Sequence, residues 1–424
     1  MTDTVVITGA GITTSIGHTV SGIWTALVAG NTGIRPLGNG SPDAAATVSG
    51  LDPAALGIHP RDARIMGRHS HMLIKASRDA YAAAGIVKGD FAPEEIGFFA
   101  GMGMVDYSIS DLMPGLLKSL RVDGSIDYDL FFDSGFREIH PLWPLSMLNN
   151  ISFCQAAIGL DIRGENTVFS PHADSGARAI AEGVRTVLER KAKIALAGGV
   201  SEAVSPEALA RGRYFGVISR GEGDGNGTCM PFGQNRSGTI FGEGCGIVSL
   251  ELRSSAEARG AGYDTMITGY GSSCRKDAEA NCPAIDAIAL SMKQALAQAD
   301  TGPEGIDLVI AHGDGTLRGD GNEAEAIGLV FSGLSGQPAV YSSKPAFGHL
   351  LAGAPAVDLI IGSAMITQGI VPAVTGAYTT DPTIGFTLVK GQPLPLRPKR
   401  VLINALSYEG QCSSLIIEAA VHQR

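Results

Sequence analysis

The chain has 424 residues, with 42 Asp and Glu against 32 Lys and Arg, a formal net charge of −10; a general nucleic-acid binder would need a net basic face. Hydrophobic residues make up 44% and charged residues 17%, enough apolar material for a large buried core and too much for global disorder. Glycine, at 57 residues, is nearly twice as common as the usual ~7%, without a collagen period, which implies tight turns and close backbone packing.

Met1 runs straight into an apolar β-branched run, so no signal peptide is expected and a cytoplasmic location is. Short β-branched runs predict strands over 5–8, 96–100, 167–169, 194–197 and 247–252, then over 266–268, 308–311, 340–342, 401–404 and 414–419. Helical patterns fall near 20–28, 71–84, 174–190, 285–299, 322–331 and 349–367. This alternation predicts mostly parallel sheets covered by helices. Five strands in each half suggest duplicated α/β layers, 1–255 and 256–424, although the halves are not visibly similar residue by residue. Residues 101–150 break the alternation and read as an inserted helical cap. The apolar stretch 350–370 is interrupted by Pro355 and Asp358, and reads as a buried core helix, with no membrane partner.

Six cysteines (Cys154, Cys229, Cys245, Cys274, Cys282 and Cys412) form no CxxC pair, so reduced thiols are expected in place of disulfides or a zinc site. Two segments pass from a strand into a glycine-marked helix start, 167–176 and 340–349. A third polar turn, His312-Gly-Asp-Gly-Thr316, follows the apolar strand 308–311. A helix start offers free N–H groups and partial positive charge, so it stabilises an anion or activates a nucleophile. Each residue also has an ordinary reading: a packed histidine, a surface charge at Lys344, a helix cap at Asp174. Gly221 to Gly227 lacks the spaced oxygen ligands of a calcium loop and reads as a turn. Gly9-Ala-Gly11 follows the first strand, but Ile12-Thr-Thr breaks the dinucleotide fingerprint, and no P-loop lysine occurs. No cofactor and no metal are expected.

A longer set of motifs runs through the chain in order. It comprises Val5-Val-Ile-Thr-Gly-Ala-Gly-Ile12, Ile16-Gly, Ile23 to Gly30, Asp161-Ile-Arg-Gly164, Ala197-Gly-Gly-Val-Ser-Glu202, Pro231-Phe and Phe241-Gly-Glu-Gly-Cys-Gly246. It continues with His312 to Thr316, Gly319-Asp320, Glu323-Ala324, Lys344-x-x-x-Gly348-His349, and Asn404 to Gly410. Together these resemble the β-ketoacyl-(acyl carrier protein) synthases of the thiolase superfamily, nearly end to end. The resemblance implies a thiolase-like fold of duplicated five-stranded halves in αβαβα layers. It also implies decarboxylative condensation, with a cysteine at a helix start taking the acyl chain and two histidines stabilising an enolate. His312 and His349 resemble those histidines, Lys344 the supporting cation, and Glu323 the acid that fixes the network.

The chain departs from that pattern at two places. Where the family reads Thr-Ala-Cys-x-x-Gly, this chain reads Pro171-His-Ala-Asp-Ser-Gly176, so Ala173 stands at the nucleophile position. Ser175 is near but matches a small structural position. The family's Gly-Phe-Gly-Gly appears as Ser407-Tyr-Glu-Gly410, putting Tyr408 at the gate and stiffening the loop; Pro345 replaces a small polar residue. Three readings follow. One is a chain-length-factor type partner of an active ketosynthase in a type II polyketide or fatty acid synthase. The second is a malonyl-carrier-protein decarboxylase using His312 and His349. The third is a ketosynthase whose cysteine was replaced by engineering, against which His172 and Asp174 show the whole turn remodelled.

The resemblance further implies a dimer, most simply a heterodimer with a catalytic ketosynthase, joined through the strand at 167–169 into a continuous sheet. The apolar cap near Phe131-Phe132 and 141–147 would cover the dimer's tunnel, with Trp143, Met147 and Leu148 as candidate lining, or as ordinary core packing. Acyl carrier proteins are acidic, so Arg64, Arg68 and Lys75 are candidates for a docking patch.

Overall fold

A computed structural model describes residues 4–38, 43–63, 66–105, 109–146, 148–219, 229–334 and 336–420. Ten strands join in one sheet: β1 Val5–Thr14, β2 Ile96–Met102, β3 Asn166–Phe169, β4 Ile194–Glu202, β5 Glu243–Leu252, β6 Thr265–Cys274, β7 Leu308–Ile310, β8 Ala339–Tyr341, β9 Arg400–Leu406 and β10 Gln411–Ala419. Their spatial order is β8-β7-β9-β10-β6-β1-β5-β4-β2-β3. Reading outward from the centre, each set of five therefore follows the order first, fifth, fourth, second, third. The senses repeat as well: two antiparallel pairs, then two parallel ones, in each set. The sets meet only through Val5 opposite Ile267 and Val6 opposite Met266.

Each half thus carries as many antiparallel as parallel pairs, not the mostly parallel sheet that the alternation predicts. The fifth strand of each half returns between the first and fourth strands, and both of those pairings are antiparallel. In the second half the return is a tight turn at 407–410, which leaves no room for a crossover helix.

The helices that matter for the site are α1 Val20–Val28, α2 Arg68–Ala83, α3 Asn149–Leu160, α4 Ser175–Leu188, α5 Ile285–Gln298, α6 Leu317–Val330 and α7 Ala354–Gln368. α2 and α3 cover the outer face of the first five strands, α5 and α6 the outer face of the second five, and α4 and α7 pack between the two. This gives five layers. α7 contacts strands of both halves and α4, which is why it is apolar on nearly every side.

The strands run longer than the sequence suggests, because glycines that look like turns lie inside them. Gly9 and Gly11 sit within β1, where a Cβ would collide with the carbonyl oxygens of Ala80 and Ala76 on α2. Gly269 and Gly271 sit within β6, where a Cβ would collide with the carbonyls of Ala295 and Ser291 on α5. The same Gly-x-Gly device brings one helix onto the first strand of each half. It is a residue-level trace of the duplication that is not visible by eye along the sequence.

The segment between β2 and α3 carries short helices at Ile109–Lys118, Tyr128–Asp133 and Trp143–Ser146. It presents Leu117, Tyr128, Phe132 and Phe136 to solvent. β3 pairs with β2 alone, so its other side is an open sheet edge. All six cysteines are unpaired.

Candidate active site

Three turns at strand ends build the site. The first follows β3. Ala173 is buried at the start of α4, and Asp174, wholly buried, occupies the cap position without capping the helix by its side chain. The Asp174 carboxylate instead accepts from Ser407 Oγ (3.1 Å), Ser413 Oγ (3.1 Å) and Arg178 Nε (2.6 Å), while its own N–H donates to Ser407 Oγ at 3.1 Å. On the other side of Ala173, His172 Nδ1 lies 3.2 Å from Glu409 Oε2 and its Nε2 3.3 Å from Gln411 Nε2. The two places where the chain departs from the family pattern are therefore bonded to each other.

The glycine after this turn is fixed by packing. A Cβ on Gly176, or on Gly199 of β4, would strike the carbonyl oxygen of Ala352 just ahead of α7. The starts of the two central helices are thus in backbone contact.

The second turn follows β7. The buried Glu323 carboxylate on α6 accepts from His312 N (2.8 Å), Gly313 N (2.8 Å) and Asn404 Nδ2 (3.0 Å), which fixes the turn to its helix and to β9. Burial raises the Glu323 pKa against these donors. α6 begins at Leu317, five residues earlier than the periodicity predicts, because Gly319 and Gly321 obscure its first turn.

The third turn follows β8. A short helical turn, Lys344–Phe347, and a 3-10 turn, Leu351–Gly353, precede α7, which starts at Ala354 and not at His349. His349 is locked against the strand-like segment beside it: its N–H donates to Ile240 O (2.7 Å), and its C=O accepts from Gly242 N (3.0 Å). Lys344 is no surface charge; it is 1% exposed, its Nζ has no hydrogen-bond partner, and Asp358 Oδ2 lies 3.8 Å away. Burial raises the Asp358 pKa.

The two imidazoles stand edge to face, 4.9 Å between centroids. His312 Nδ1 accepts from Leu406 N (3.2 Å) and His349 Nδ1 from Leu351 N (3.3 Å). With Nδ1 an acceptor in both rings, the neutral tautomer carries its proton on Nε2. His349 Nε2 has no partner, and His312 Nε2 has only Asp314 Oδ2 at 3.8 Å. Burial, reinforced by the Lys344 ammonium, holds both pKa values well below the usual imidazole range. The pair is neutral, with two N–H donors available to an oxygen.

Tyr408 and Phe241 connect the histidines to Ala173. Each stacks edge-on against His349, at 5.9 Å and 6.4 Å, and both line a cavity of about 140 Å³ with Ala173, His172, Arg211 and Leu351. The Tyr408 hydroxyl is buried, and burial with the neighbouring Asp314 carboxylate, as a charge and as a hydrogen-bond acceptor, pushes its pKa well above the phenol range.

Ala173 and Tyr408 line this cavity; His349 lies behind Tyr408 and Phe241 with His312 against it, and Lys344 and Glu323 are buried without lining it. Trp143 and Leu148 lie in the cap and do not line that cavity; Met147 and Arg64 fall outside the described residues. Arg68 and Lys75 are engaged within the chain. Arg68 Nε binds Glu243 Oε1 at 2.8 Å, and Lys75 pairs with Asp79 and with the His18 carbonyl. Sequence reasoning missed the partners Asp358, Phe241 and Asn404. For Asp358 the signal was an acid alone in the apolar run of α7. No group of His, Cys, Asp or Glu side chains placed to hold a metal ion occurs among the described residues.

The layers and the pocket define a thiolase-like fold. Residues 2–256 match the β-ketoacyl synthase N-terminal domain and residues 265–377 the β-ketoacyl synthase C-terminal domain. The 3-oxoacyl-[acyl-carrier-protein] synthase 2 of Synechocystis sp. is 30% identical over 414 residues, 96% of this chain and 95% of its own. The protein of the same name from Coxiella burnetii is 26% identical over 424 residues, 97% and 98% of the two chains. Among solved structures, the ishigamide ketosynthase/chain length factor superposes with a TM-score of 0.85 at 27% identity, covering 99% of this chain and 100% of that one. A β-ketoacyl synthase from Burkholderia phymatum gives a TM-score of 0.85 at 24% identity, with the same coverages, and shares the fold. The chain belongs to the β-ketoacyl synthase family.

Proposed function

We infer that this chain is a non-condensing ketosynthase-like subunit, the chain-length-factor type of partner to a cysteine-bearing ketosynthase that elongates acyl groups on a carrier protein. One observation carries the reading: the side chain at the start of α4, facing the cavity, is the methyl of Ala173. A methyl cannot receive an acyl group as a thioester. Burial drives the Cys229 and Cys412 thiols up to about 12, so neither supplies a thiolate in its place. The bonding of His172 and Asp174 to the 407–411 loop supports a natural turn over a single engineered replacement. Tyr408 is the gate of the pocket. The open edge of β3 is the surface that would meet the partner.

The test is to purify the chain alone and together with a cysteine-bearing relative from the same organism, and to record native masses and acyl adducts. A mixed dimer, acylated only on the relative, is expected. An acyl adduct on this chain would refute the reading.

The histidines favour a second activity in the same pocket. Two neutral imidazoles, the His349 Nε2–H without a partner and the His312 Nε2–H with Asp314 at 3.8 Å, can stabilise the enolate formed when a malonyl thioester loses carbon dioxide, a step that requires no covalent acyl-enzyme. Carbon dioxide release from malonyl-carrier protein that disappears in His312→Ala is the expected result.

A further inference from the structure

We propose that the Tyr408 hydroxyl is the proton donor that ends this decarboxylation, so that the enolate is protonated to an acetyl thioester instead of attacking an acyl group. The inference rests on the decarboxylase reading and adds a residue and a product to it.

The pocket contains a disposal problem. In a condensation, the enolate carbon attacks a carbonyl carbon held by the nucleophile. Here Ala173 holds none, so an enolate formed against the histidines has no electrophile and needs a proton. Tyr408 and Phe241 both reach from His349 to the cavity, and of the two only Tyr408 carries a transferable proton. Its ring stacks on His349 at 5.9 Å, and it lines the cavity with Ala173.

The hydroxyl lies off the solvent-facing side of the loop. It is buried, and the group beside it is the Asp314 carboxylate. The sequence motif this loop resembles has phenylalanine here, so the oxygen is an addition. Burial and Asp314 keep the phenol protonated. The loop that carries it is held by Ser407 to Asp174 and by Glu409 to His172. The donor is therefore positioned before substrate arrives.

The step balances without another reagent. The bond between the methylene and the carboxylate carbon breaks, and its electron pair forms the enolate as carbon dioxide leaves. The methylene carbon then takes the proton from Tyr408 Oη, giving a methyl group, and the phenolate recovers a proton from water.

The experiment compares wild type, Tyr408→Phe and His312→Ala, each incubated with malonyl-carrier protein, following carbon dioxide and acetyl-carrier protein by mass spectrometry. A second subunit, if it copurifies, carries alanine at its own two histidines. Tyr408→Phe keeps the ring and the gate and removes one oxygen. General acid catalysis typically contributes ~10²–10⁴-fold, so acetyl formation should fall at least about 10²-fold. The solvent deuterium isotope effect on that product should change with it, which loss of packing would not produce. Acetyl formation by Tyr408→Phe at the wild-type rate, with the same isotope effect, overturns the proposal and leaves the decarboxylase reading standing. No carbon dioxide from wild type overturns both.

Discussion

His172 and Glu409 face each other at 3.2 Å on the rim of the Ala173 cavity, one from the turn before α4 and the other from the loop between β9 and β10. The pair is partly exposed, so its direct contribution is small. A double-mutant cycle of His172→Ala and Glu409→Ala should give a coupling of about 0.2–1 kcal/mol. The larger effect is on mobility: hydrogen exchange across 406–411 should accelerate in either variant. Unchanged exchange would mean that Asp174 alone pins the loop.

Ala173→Cys places a thiol at the start of a 14-residue helix, where the free N–H groups favour a thiolate. It should react with iodoacetamide well before the buried Cys229 and Cys412. Peptide mass mapping after a short exposure decides the order. Preferential labelling of either native buried thiol would contradict the site described.

Stability should fall in acid because of the histidine pair. The folded pKa values of His312 and His349 lie below the unfolded value of about 6.5, so the unfolded chain binds more protons as the pH drops below that point. The stabilising difference is present above about pH 6.5 and is lost toward the folded pKa values, at about 1.4 kcal/mol per pH unit for each histidine. Asp320, Glu323 and Asp358, all raised by burial, act in the opposite direction at lower pH. Urea midpoints at several pH values for wild type and His349→Gln isolate the histidine term, and the variant should have the shallower slope below pH 6.5.

Glu323→Gln should destabilise the protein by about 2–3 kcal/mol. Three N–H groups converge on the carboxylate, and an amide nitrogen there would oppose one of them. Denaturant unfolding checks the cost. The histidine turn should loosen as well, visible as faster exchange at Gly313.

A second buried network holds α3 to α2 and α2 to β4. His69 Nε2 lies 2.7 Å from Ser152 Oγ, Ser152 Oγ 2.6 Å from Ser70 Oγ, and His69 Nδ1 2.9 Å from Glu202 Oε1. His69→Ala takes a partner from the Ser152 hydroxyl and from the Glu202 carboxylate and should cost about 2–4 kcal/mol. Thermal unfolding measures it.

Much of this was legible in the sequence, and the gaps have physical causes. The β-branched runs located all ten strands, because burial from both faces selects Val and Ile. Their lengths were hidden where Gly9, Gly11, Gly269 and Gly271 serve helix packing, since a glycine required by a neighbour reads like one required by a turn. Ala173, His312, His349 and Lys344 could be aligned on motifs one turn at a time. What connects them could not: Asp174 reaches Ser407 and Ser413 across more than 200 residues of chain, and no local spacing encodes that. For the same reason, Lys344 reads as an exposed cation until α7 is seen to bury it.

The contact between Gly176, Gly199 and the Ala352 carbonyl has an evolutionary consequence. Steric fit between two central helices dictates the shape of the turn, whatever chemistry takes place beside it. Selection for folding alone would preserve that backbone path, leaving position 173 free to gain or lose a reactive group while the surrounding frame endures.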